Sequence, residues 1–209
     1  MPPCPARADV ASPTVALVRH ASTAWTGHRY VGRADPPLDA AGRIAAAGAA
    51  DRLLGTIGID GRIVSSPLRR ALETAEVIAA RTGAPVDLDP RWQEADVGAV
   101  EGLTFLDIAA RWPTLARRLA DGDTAIDWPD GETTIDFERR VAAAWSALAD
   151  DERPTVVVAH AGPLRVALSL ASDRPAAELW LPEPASIVWV PGPRPGPVAR
   201  GEQPALLGS

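Results

Sequence analysis

Two of the three histidines in the sequence follow short apolar segments, a placement that could support phosphoryl transfer. His20 follows the apolar segment 14–18, and His160 follows the apolar segment 155–159. A single histidine at the end of a strand is more simply explained as a structural residue, but the pair favours function. A neutral imidazole nitrogen can attack phosphorus in line, while a second, protonated histidine stabilises the charge that develops. We expect the third histidine, His28, to lie exposed in a polar loop.

Arginines next to these histidines predict a pocket for an anion. Arg69 and Arg70 fall in the first turn of a predicted helix, where the helix dipole disfavours cations. A local rule broken in this way often marks a functional position, although Arg69 could equally be a solvated surface residue. With Arg19 beside His20, the pattern predicts a positive pocket for a dianion such as phosphate. A metal ion would be repelled there, so we expect neither a metal nor another cofactor.

Transfer of a phosphoryl group from an ester also requires an acid. The leaving alcohol needs a proton, which a carboxylic acid in the same pocket can supply. The segment 91–98 follows a predicted strand and offers Glu94 and Asp96 as candidates. We also expect a backbone carbonyl to hold the second ring nitrogen of His20 in one tautomer.

Alternation of apolar strands and helical patterns predicts the elements that must position these residues. Strands are predicted at 14–18, 62–65, 85–88, 155–159 and 186–190, and helices at 39–54, 66–81, around 104–120 and 132–149, and at 162–170. Asp39 is the expected N-cap of the first helix, and Ser66, followed by Pro67, that of the second. This order predicts an α/β three-layer sandwich with a mostly parallel central sheet and helices on both faces. In such sheets ligands bind beyond the carboxyl ends of the strands.

Length and composition narrow the possible functions further. The 209 residues carry 21 basic and 27 acidic side chains, a net charge of −6, and 46% hydrophobic residues. An acidic chain of this kind favours neither nucleic acid nor a membrane as a partner, and we expect a cytoplasmic protein. There is no lysine, which excludes Schiff-base chemistry, and Cys4 is the single cysteine. We expect a flexible leader over 1–12, one domain over 13–190 and a Pro/Gly-rich tail over 191–209.

Six motifs within residues 14–170 together resemble those of the histidine phosphatase superfamily, also called phosphoglycerate mutase-like. They are the stretches 17–25 (LVRHASTAW), 32–42 (GRADPPLDAAG), 65–75 (SSPLRRALETA), 94–102 (EADVGAVEG), 131–133 (GET) and 160–165 (HAGPLR). The resemblance implies a phosphoglycerate mutase-like fold. It also implies that His20 becomes phosphohistidine and that Glu94 is the proton donor. Arg19, Arg70 and His160 correspond to the rest of the phosphate pocket.

Four further residues are predicted to bind the substrate: Thr23, Thr26, Gly32 and Ala161. The sequence departs from the family at Ala21 and Ala161, where relatives carry glycine, and at Thr26, where many carry asparagine. We expect each alanine to be tolerated if its φ is negative, because it adds only a methyl group. The Thr26 hydroxyl can still donate one hydrogen bond to phosphate.

The resemblance and the spacing favour a phosphomonoester hydrolase that acts on a small phosphorylated metabolite. His160 follows Glu94 by only 66 positions, whereas the mutases of the family carry a longer insertion that shields the phosphoenzyme from water. The alternatives are a phosphoglycerate mutase-type phosphotransferase and a module that recognises phosphate without turnover. We predict that the segment 103–130 covers the pocket, and that one or two tryptophans face a flat leaving group there. The sequence does not predict the substrate or the oligomeric state.

Overall fold

Strands and helices alternate along the chain, as predicted. The computed structural model describes residues 14–58, 60–179 and 181–193. The strands are β1 (Thr14–Arg19), β2 (Arg62–Ser65), β3 (Val86–Leu88), β4 (Thr155–Ala159) and β5 (Ile187–Pro191). The α-helices are α1 (Ala40–Leu53), α2 (Arg69–Thr82), α3 (Phe105–Arg111), α4 (Pro113–Ala120), α5 (Thr134–Ser146) and α6 (Ala161–Ser172). The leader predicted over 1–12 and all but the start of the predicted tail lie outside the described residues.

The central sheet brings the predicted histidines to one edge. Its strand order is β3-β2-β4-β1-β5, with β1 to β4 parallel and β5 antiparallel to β1. The register pairs Arg19 of β1 with Ala159 of β4. Because the two strands are parallel and in register, His20 and His160 leave the sheet side by side, with Ser66 at the end of the neighbouring β2.

Helices cover both faces of the sheet, which confirms the predicted three layers. Val15 and Leu17 point to the face packed by α5 and α6, whereas Ala16 and Val18 point to the face packed by α1 and α2. All four side chains are buried. The unbroken apolar run of β1 therefore reflects burial on both faces, as in other parallel sheets.

The predicted start of the first helix is confirmed, and that of the second is wrong. Asp39 caps α1 by accepting a 2.6 Å hydrogen bond from the Gly42 amide. The second helix begins at Arg69, with Leu68 and not Ser66 at its N-cap. The Ser66 hydroxyl is instead buried against His160, 2.8 Å from its Nε2. The same oxygen accepts from the Leu68 amide at 3.3 Å, so Ser66 serves both the pocket and the residue that precedes the helix.

The segment around 104–120 forms two short helices instead of one continuous helix. Trp112 separates α3 from α4 with a ψ of 73°, and Pro113 follows it. Proline disfavours the helical conformation in the residue before it, which explains the break. These helices contribute Ile108 and Ala116 to a small apolar cluster of their own, apart from those on the sheet faces.

Within the described ranges, no helix is both long and apolar enough to cross a membrane. The cytoplasmic location stays a prediction.

Candidate active site

A cavity of about 440 Å³ opens at the carboxyl ends of the parallel strands. Its wall includes seven of the nine predicted catalytic and substrate-binding residues. These are Arg19, His20, Thr26, Gly32, Arg70, Glu94 and Ala161. His160 is fully buried directly behind His20, with the two ring centroids 5.0 Å apart. The structure therefore gathers residues that lie up to 142 positions apart in the sequence around one space.

The hydrogen bonds of His20 determine which of its nitrogens is available for chemistry. Its Nδ1 lies 2.7 Å from the carbonyl oxygen of Ala21, so Nδ1 carries the proton and donates. The Nε2 atom then has a free electron pair, towards which the Nε–H of Arg70 points at 3.3 Å. Burial, reinforced by the charge of Arg70, lowers the pKa of His20 to about 3. The imidazole is thus neutral and keeps the tautomer that was predicted for it.

His160 is also neutral, which corrects the expectation of a protonated second histidine. Burial first, and then the charge of Arg70, hold its pKa well below the usual value of 6.5. Its Nε2 meets the Ser66 hydroxyl, whose oxygen also accepts from the Leu68 amide at 3.3 Å. A consistent assignment has Ser66 donating to Nε2, which leaves the proton on Nδ1. That Nδ1 is buried without a hydrogen-bond partner among the described residues, so His160 can donate to a ligand while neutral.

Arg70 is a buried cation, only 1% exposed, and backbone carbonyl groups hold its guanidinium in place. Its Nη1 donates to the carbonyl oxygen of Ala34 at 2.8 Å and its Nη2 to that of Gly32 at 2.9 Å. Gly32 has a φ of +51°, and a Cβ there would lie 2.5 Å from Val97 Cγ2. A side chain at this position is therefore excluded, and the turn presents its carbonyl group to the guanidinium. Arg69 is exposed and pairs with Glu73 on its own helix, as a solvated residue would.

The remaining predicted residues divide between the cavity wall and the layer behind it. Arg19 donates from Nη1 to the carbonyl oxygen of Pro182 at 2.7 Å, and its buried Nε has no partner in the described part of the chain. Thr26 lies on the wall, whereas Thr23 lies behind it, buried and 3.3 Å from Thr26 between the two Oγ1 atoms.

Two alanines replace the glycines of the family motifs without strain. Neither Ala21 nor Ala161 has a positive φ, which agrees with the expectation that a methyl group is tolerated at both positions. Outside the site, His28 is exposed as predicted.

Glu94 reaches the cavity at the amino end of α6. Its Oε1 accepts from the Ala95 amide at 3.0 Å and its Oε2 from the Gly162 amide at 3.3 Å. A Cβ at position 162 would lie 2.3 Å from Glu94 Oε1. The carboxylate therefore occupies space that glycine leaves open. Of the two acids that the sequence offered, Glu94 lines the cavity, while Asp96 forms an ion pair with Arg33 outside it.

The backbone that carries Glu94 is held by Arg140 of α5, a residue that the sequence did not single out. The Arg140 guanidinium donates to the carbonyl oxygens of Arg91, Gln93 and Glu94 over 2.8 to 3.0 Å. It also forms a two-pronged pair with Glu132, with distances of 2.8 and 2.7 Å. Because a guanidinium has five donor hydrogens in a fixed plane, one side chain can hold three carbonyl groups of this loop and the carboxylate of Glu132 at the same time.

The outer part of the cavity wall carries six large apolar or aromatic side chains, beside polar ones such as Thr124 and Thr134. It is lined by Tyr30, Leu119, Ile126, Trp128, Phe137 and Leu181. One or two tryptophans are expected from the sequence to face the pocket. Trp128 is on the wall, whereas Trp92 is fully buried in the sheet core. The aromatic Phe105 is exposed. Arg165 of α6 also lines the cavity. In the sequence, Arg165 is marked as a candidate site residue only by its place at the end of the 160–165 motif.

The chain matches the family described as histidine phosphatase superfamily (branch 1) over residues 15–198. It belongs to that family. A bifunctional protein of Mycobacterium tuberculosis is 39% identical over 167 residues, which cover 78% of this chain and 45% of that protein. The chain thus spans less than half the length of this relative.

Two further comparisons concern proteins of nearly the same length. A probable phosphoglycerate mutase of Proteus mirabilis is 34% identical, covering 78% of this chain and 76% of that protein. The structure of a mycobacterial glucosyl-3-phosphoglycerate phosphatase with inorganic phosphate is 30% identical, with a TM-score of 0.74. It covers 85% of this chain and 89% of that one. Fold and family thus agree with the sequence resemblance.

Proposed function

We propose that the protein is a phosphomonoester hydrolase that works through a phosphohistidine on His20. The observation that carries this proposal is the tautomer of His20. Its Nδ1 proton is tied to the Ala21 carbonyl oxygen, and its Nε2 electron pair faces the arginine-lined cavity. A neutral imidazole in that state is a nucleophile without prior loss of a proton.

In the first step, His20 Nε2 attacks the phosphorus of the bound ester. The N–P bond forms as the bond from phosphorus to the ester oxygen breaks, and protonated Glu94 gives its proton to the leaving alcohol. In the second step, Glu94 takes a proton from water, whose oxygen attacks the phosphohistidine. The N–P bond breaks, inorganic phosphate leaves, and both residues return to their starting states.

The charge that develops on the phosphoryl oxygens is met by three fixed donors. The Nε–H of Arg70 points to His20 Nε2 at 3.3 Å, the atom to which the phosphoryl group becomes attached, and Arg19 has a buried Nε without a partner in the described residues. The Nδ1–H of His160 is the third donor. Because carbonyl groups already hold both arginines, little reorganisation is needed when the substrate binds.

Hydrolysis is favoured over transfer to a second metabolite. The spacing of 66 positions between Glu94 and His160 is compact, and water must be excluded to preserve a phosphohistidine for transfer. The related structure named a glucosyl-3-phosphoglycerate phosphatase supports a small phosphorylated metabolite as substrate. The relative named a probable phosphoglycerate mutase is the reason to keep a mutase as the second candidate.

The test is hydrolysis of p-nitrophenyl phosphate by the wild type and by His20→Ala. We expect turnover to fall by more than 10³-fold in the variant while the fold survives, and acid-labile, alkali-stable phosphate to be trapped on the wild type alone. The matched control is His28→Ala, which removes an exposed histidine outside the cavity. Retention of a tenth of the activity by His20→Ala would contradict the proposal.

Dialysis of the wild type against EDTA should leave kcat unchanged, because arginines supply the positive charge that a metal ion would otherwise bring.

A further inference from the structure

Glu94 lies in a segment that neither a helix nor a strand holds in place. Residues 93–97 connect two short 3₁₀ helices, Pro90–Trp92 and Gly98–Val100, and have no regular secondary structure. Within the described ranges, no backbone amide donates to the carbonyl oxygen of Gln93 or of Glu94. Half-buried carbonyl groups of this kind need a partner from elsewhere in the protein. The position of the acid therefore depends on what binds this segment from outside.

The carboxylate of Glu94 does not fix its own position. In the described part of the chain, its two oxygens accept only from the backbone amides of Ala95 and Gly162, at 3.0 and 3.3 Å. The first of these amides belongs to the same segment as Glu94. A shift of the segment would therefore move the proton donor relative to a bound ester.

Arg140 of α5 supplies the partners that the segment lacks. Its Nη1 donates to the carbonyl oxygen of Gln93 at 2.8 Å and its Nη2 to that of Glu94 at 3.0 Å. The Arg140 side chain is only 18% exposed, so water competes little for these bonds. Its guanidinium also lies 5.0 Å from the ring centroid of Phe137. This ring borders the carboxylate of Glu94, since a Cβ at Gly162 would contact both.

Glu132 fixes the direction of the Arg140 guanidinium. Its two carboxylate oxygens accept from Nε and Nη2 of Arg140 at 2.8 and 2.7 Å, which uses the planar fork of the arginine. Glu132 is itself bound to the segment, because its amide donates to the Asp96 carbonyl oxygen at 2.8 Å and its Oε2 accepts from the Asp96 amide at 3.3 Å. Arg140 and Glu132 thus hold the segment as one unit, before and after the acid.

We infer that Arg140 is a positioning residue for the reaction, which holds Glu94 where its proton reaches the oxygen of the leaving alcohol. The inference rests on the phosphatase function proposed above. A positioned acid contributes only when the leaving group needs a proton. Loss of Arg140 should therefore slow the hydrolysis of an alkyl ester much more than that of an ester with an acidic leaving group. A loss of folded protein would slow both alike.

The experiment measures kcat/KM for glycerol 2-phosphate and for p-nitrophenyl phosphate with the wild type, Arg140→Gln and Arg140→Lys. The matched control is Arg139→Gln, because Arg139 is the neighbouring residue on α5, is exposed and pairs with Asp136. Arg140→Gln leaves the carboxylate of Glu132 without its partner, so it is also combined with Glu132→Gln. A melting temperature for each variant reports folding, and the lysine variant keeps a positive charge beside Glu132.

We expect Arg140→Gln, alone and with Glu132→Gln, to lose roughly 10- to 100-fold in kcat/KM on glycerol 2-phosphate, the cost of a displaced catalytic group. On p-nitrophenyl phosphate the loss should stay within about threefold, because p-nitrophenolate hardly needs the proton. Arg140→Lys should be intermediate, since an ammonium group lacks the planar fork, and Arg139→Gln should be unchanged. Equal losses on the two esters, or no loss on either, would overturn the inference.

A second measurement tests whether Arg140 acts through Glu94. In Glu94→Gln the proton donor is already absent, so adding Arg140→Gln should cost less than about threefold more on glycerol 2-phosphate. A further loss as large as that of Arg140→Gln alone would mean that Arg140 acts by another route, and would also overturn the inference. A wild type inactive even on p-nitrophenyl phosphate would instead reject the phosphatase function itself.

Discussion

The inner and outer parts of the cavity are built in different ways. The inner part consists of charged and polar side chains at strand ends and at the start of α2, such as His20, His160 and Arg70, which are buried and hydrogen-bonded. The outer part includes large apolar side chains, among them Trp128 and Ile126, from the loops and short helices that follow Glu94. Directional bonds hold the first set to a rigid sheet, whereas non-directional packing holds the second. The inner part therefore suits the reaction, which is the same for every substrate, and the outer part suits the choice of substrate.

Replacing Glu94, which lies where the two parts meet, should affect the reaction in a way that depends on the leaving group. Glu94→Gln should lower kcat/KM for an alkyl phosphate by about 10²- to 10⁴-fold, because an alkoxide needs the proton. The loss with p-nitrophenyl phosphate should be much smaller, since p-nitrophenolate is a stable anion. The measurement is kcat/KM, which reports phosphorylation of His20. Equal losses on both substrates would mean that Glu94 is structural, and Asp96 would become the acid to test.

Displacing the Glu94 carboxylate without removing it should also lower kcat/KM in a way that depends on the leaving group, but by less than Glu94→Gln does. In Gly162→Ala the new Cβ would lie 2.3 Å from Glu94 Oε1, the far end of a flexible side chain, so the protein should fold and the acid should move. We expect kcat/KM for the alkyl ester to fall by roughly 10- to 100-fold, because misplaced catalytic groups cost about that much. Gly48→Ala in α1 is the control, since the nearest atom to its Cβ would be 3.8 Å away. Unaltered leaving-group dependence in Gly162→Ala would show that the position of Glu94 does not matter.

A change in the outer wall should alter substrate preference but not the reaction in general. Trp128 lies on the wall beside Tyr30, with ring centroids 6.1 Å apart. Trp128→Ala should lower kcat/KM for p-nitrophenyl phosphate by about tenfold through KM, because an aromatic contact and its buried area are lost. Glycerol 2-phosphate should change by less than about threefold. Phe105→Ala is the control, since Phe105 is exposed and off the wall. A similar loss on both substrates would argue against the separation of the two parts.

The buried neutral histidines should make the protein less stable in mild acid. The unfolded chain binds protons at His20 and His160 near pH 6.5, whereas burial keeps both neutral in the folded state, His20 down to a pKa of about 3. The unfolded state thus binds more protons below pH 6.5, and the free energy of unfolding should fall by about 1.4 kcal/mol per pH unit for each histidine. Denaturant unfolding at pH 7.5 and 5.5 measures this. Between these two pH values, the free energy of unfolding of His20→Gln should fall by about half as much as that of the wild type. An equal fall in the wild type and the variant would mean that His20 is already charged or hydrated in the folded protein.

Much of the inner part could be predicted because it depends on strand ends. Apolar runs before His20 and His160 imply parallel buried strands, and the carboxyl ends of such strands meet at one edge whatever the details of packing. The roles of Ser66, Arg140 and Trp128 could not be predicted in this way. Ser66 carries the signature of a helix cap, and only its contact with His160 shows another use. Arg140 and Trp128 act through neighbours 46 and 98 positions away, Glu94 and Tyr30.

By itself, the sequence determined the order of strands and helices, the family and the charged residues of the inner pocket, because local patterns and short motifs encode all three. The tertiary structure decided the protonation of the histidines, the support of Glu94 and the composition of the outer wall. The physical reason is the separation along the chain of the residues that interact. Helix and strand periodicity is set by neighbours along the chain, whereas desolvation of His160 and the three carbonyl contacts of Arg140 arise only when distant segments pack together.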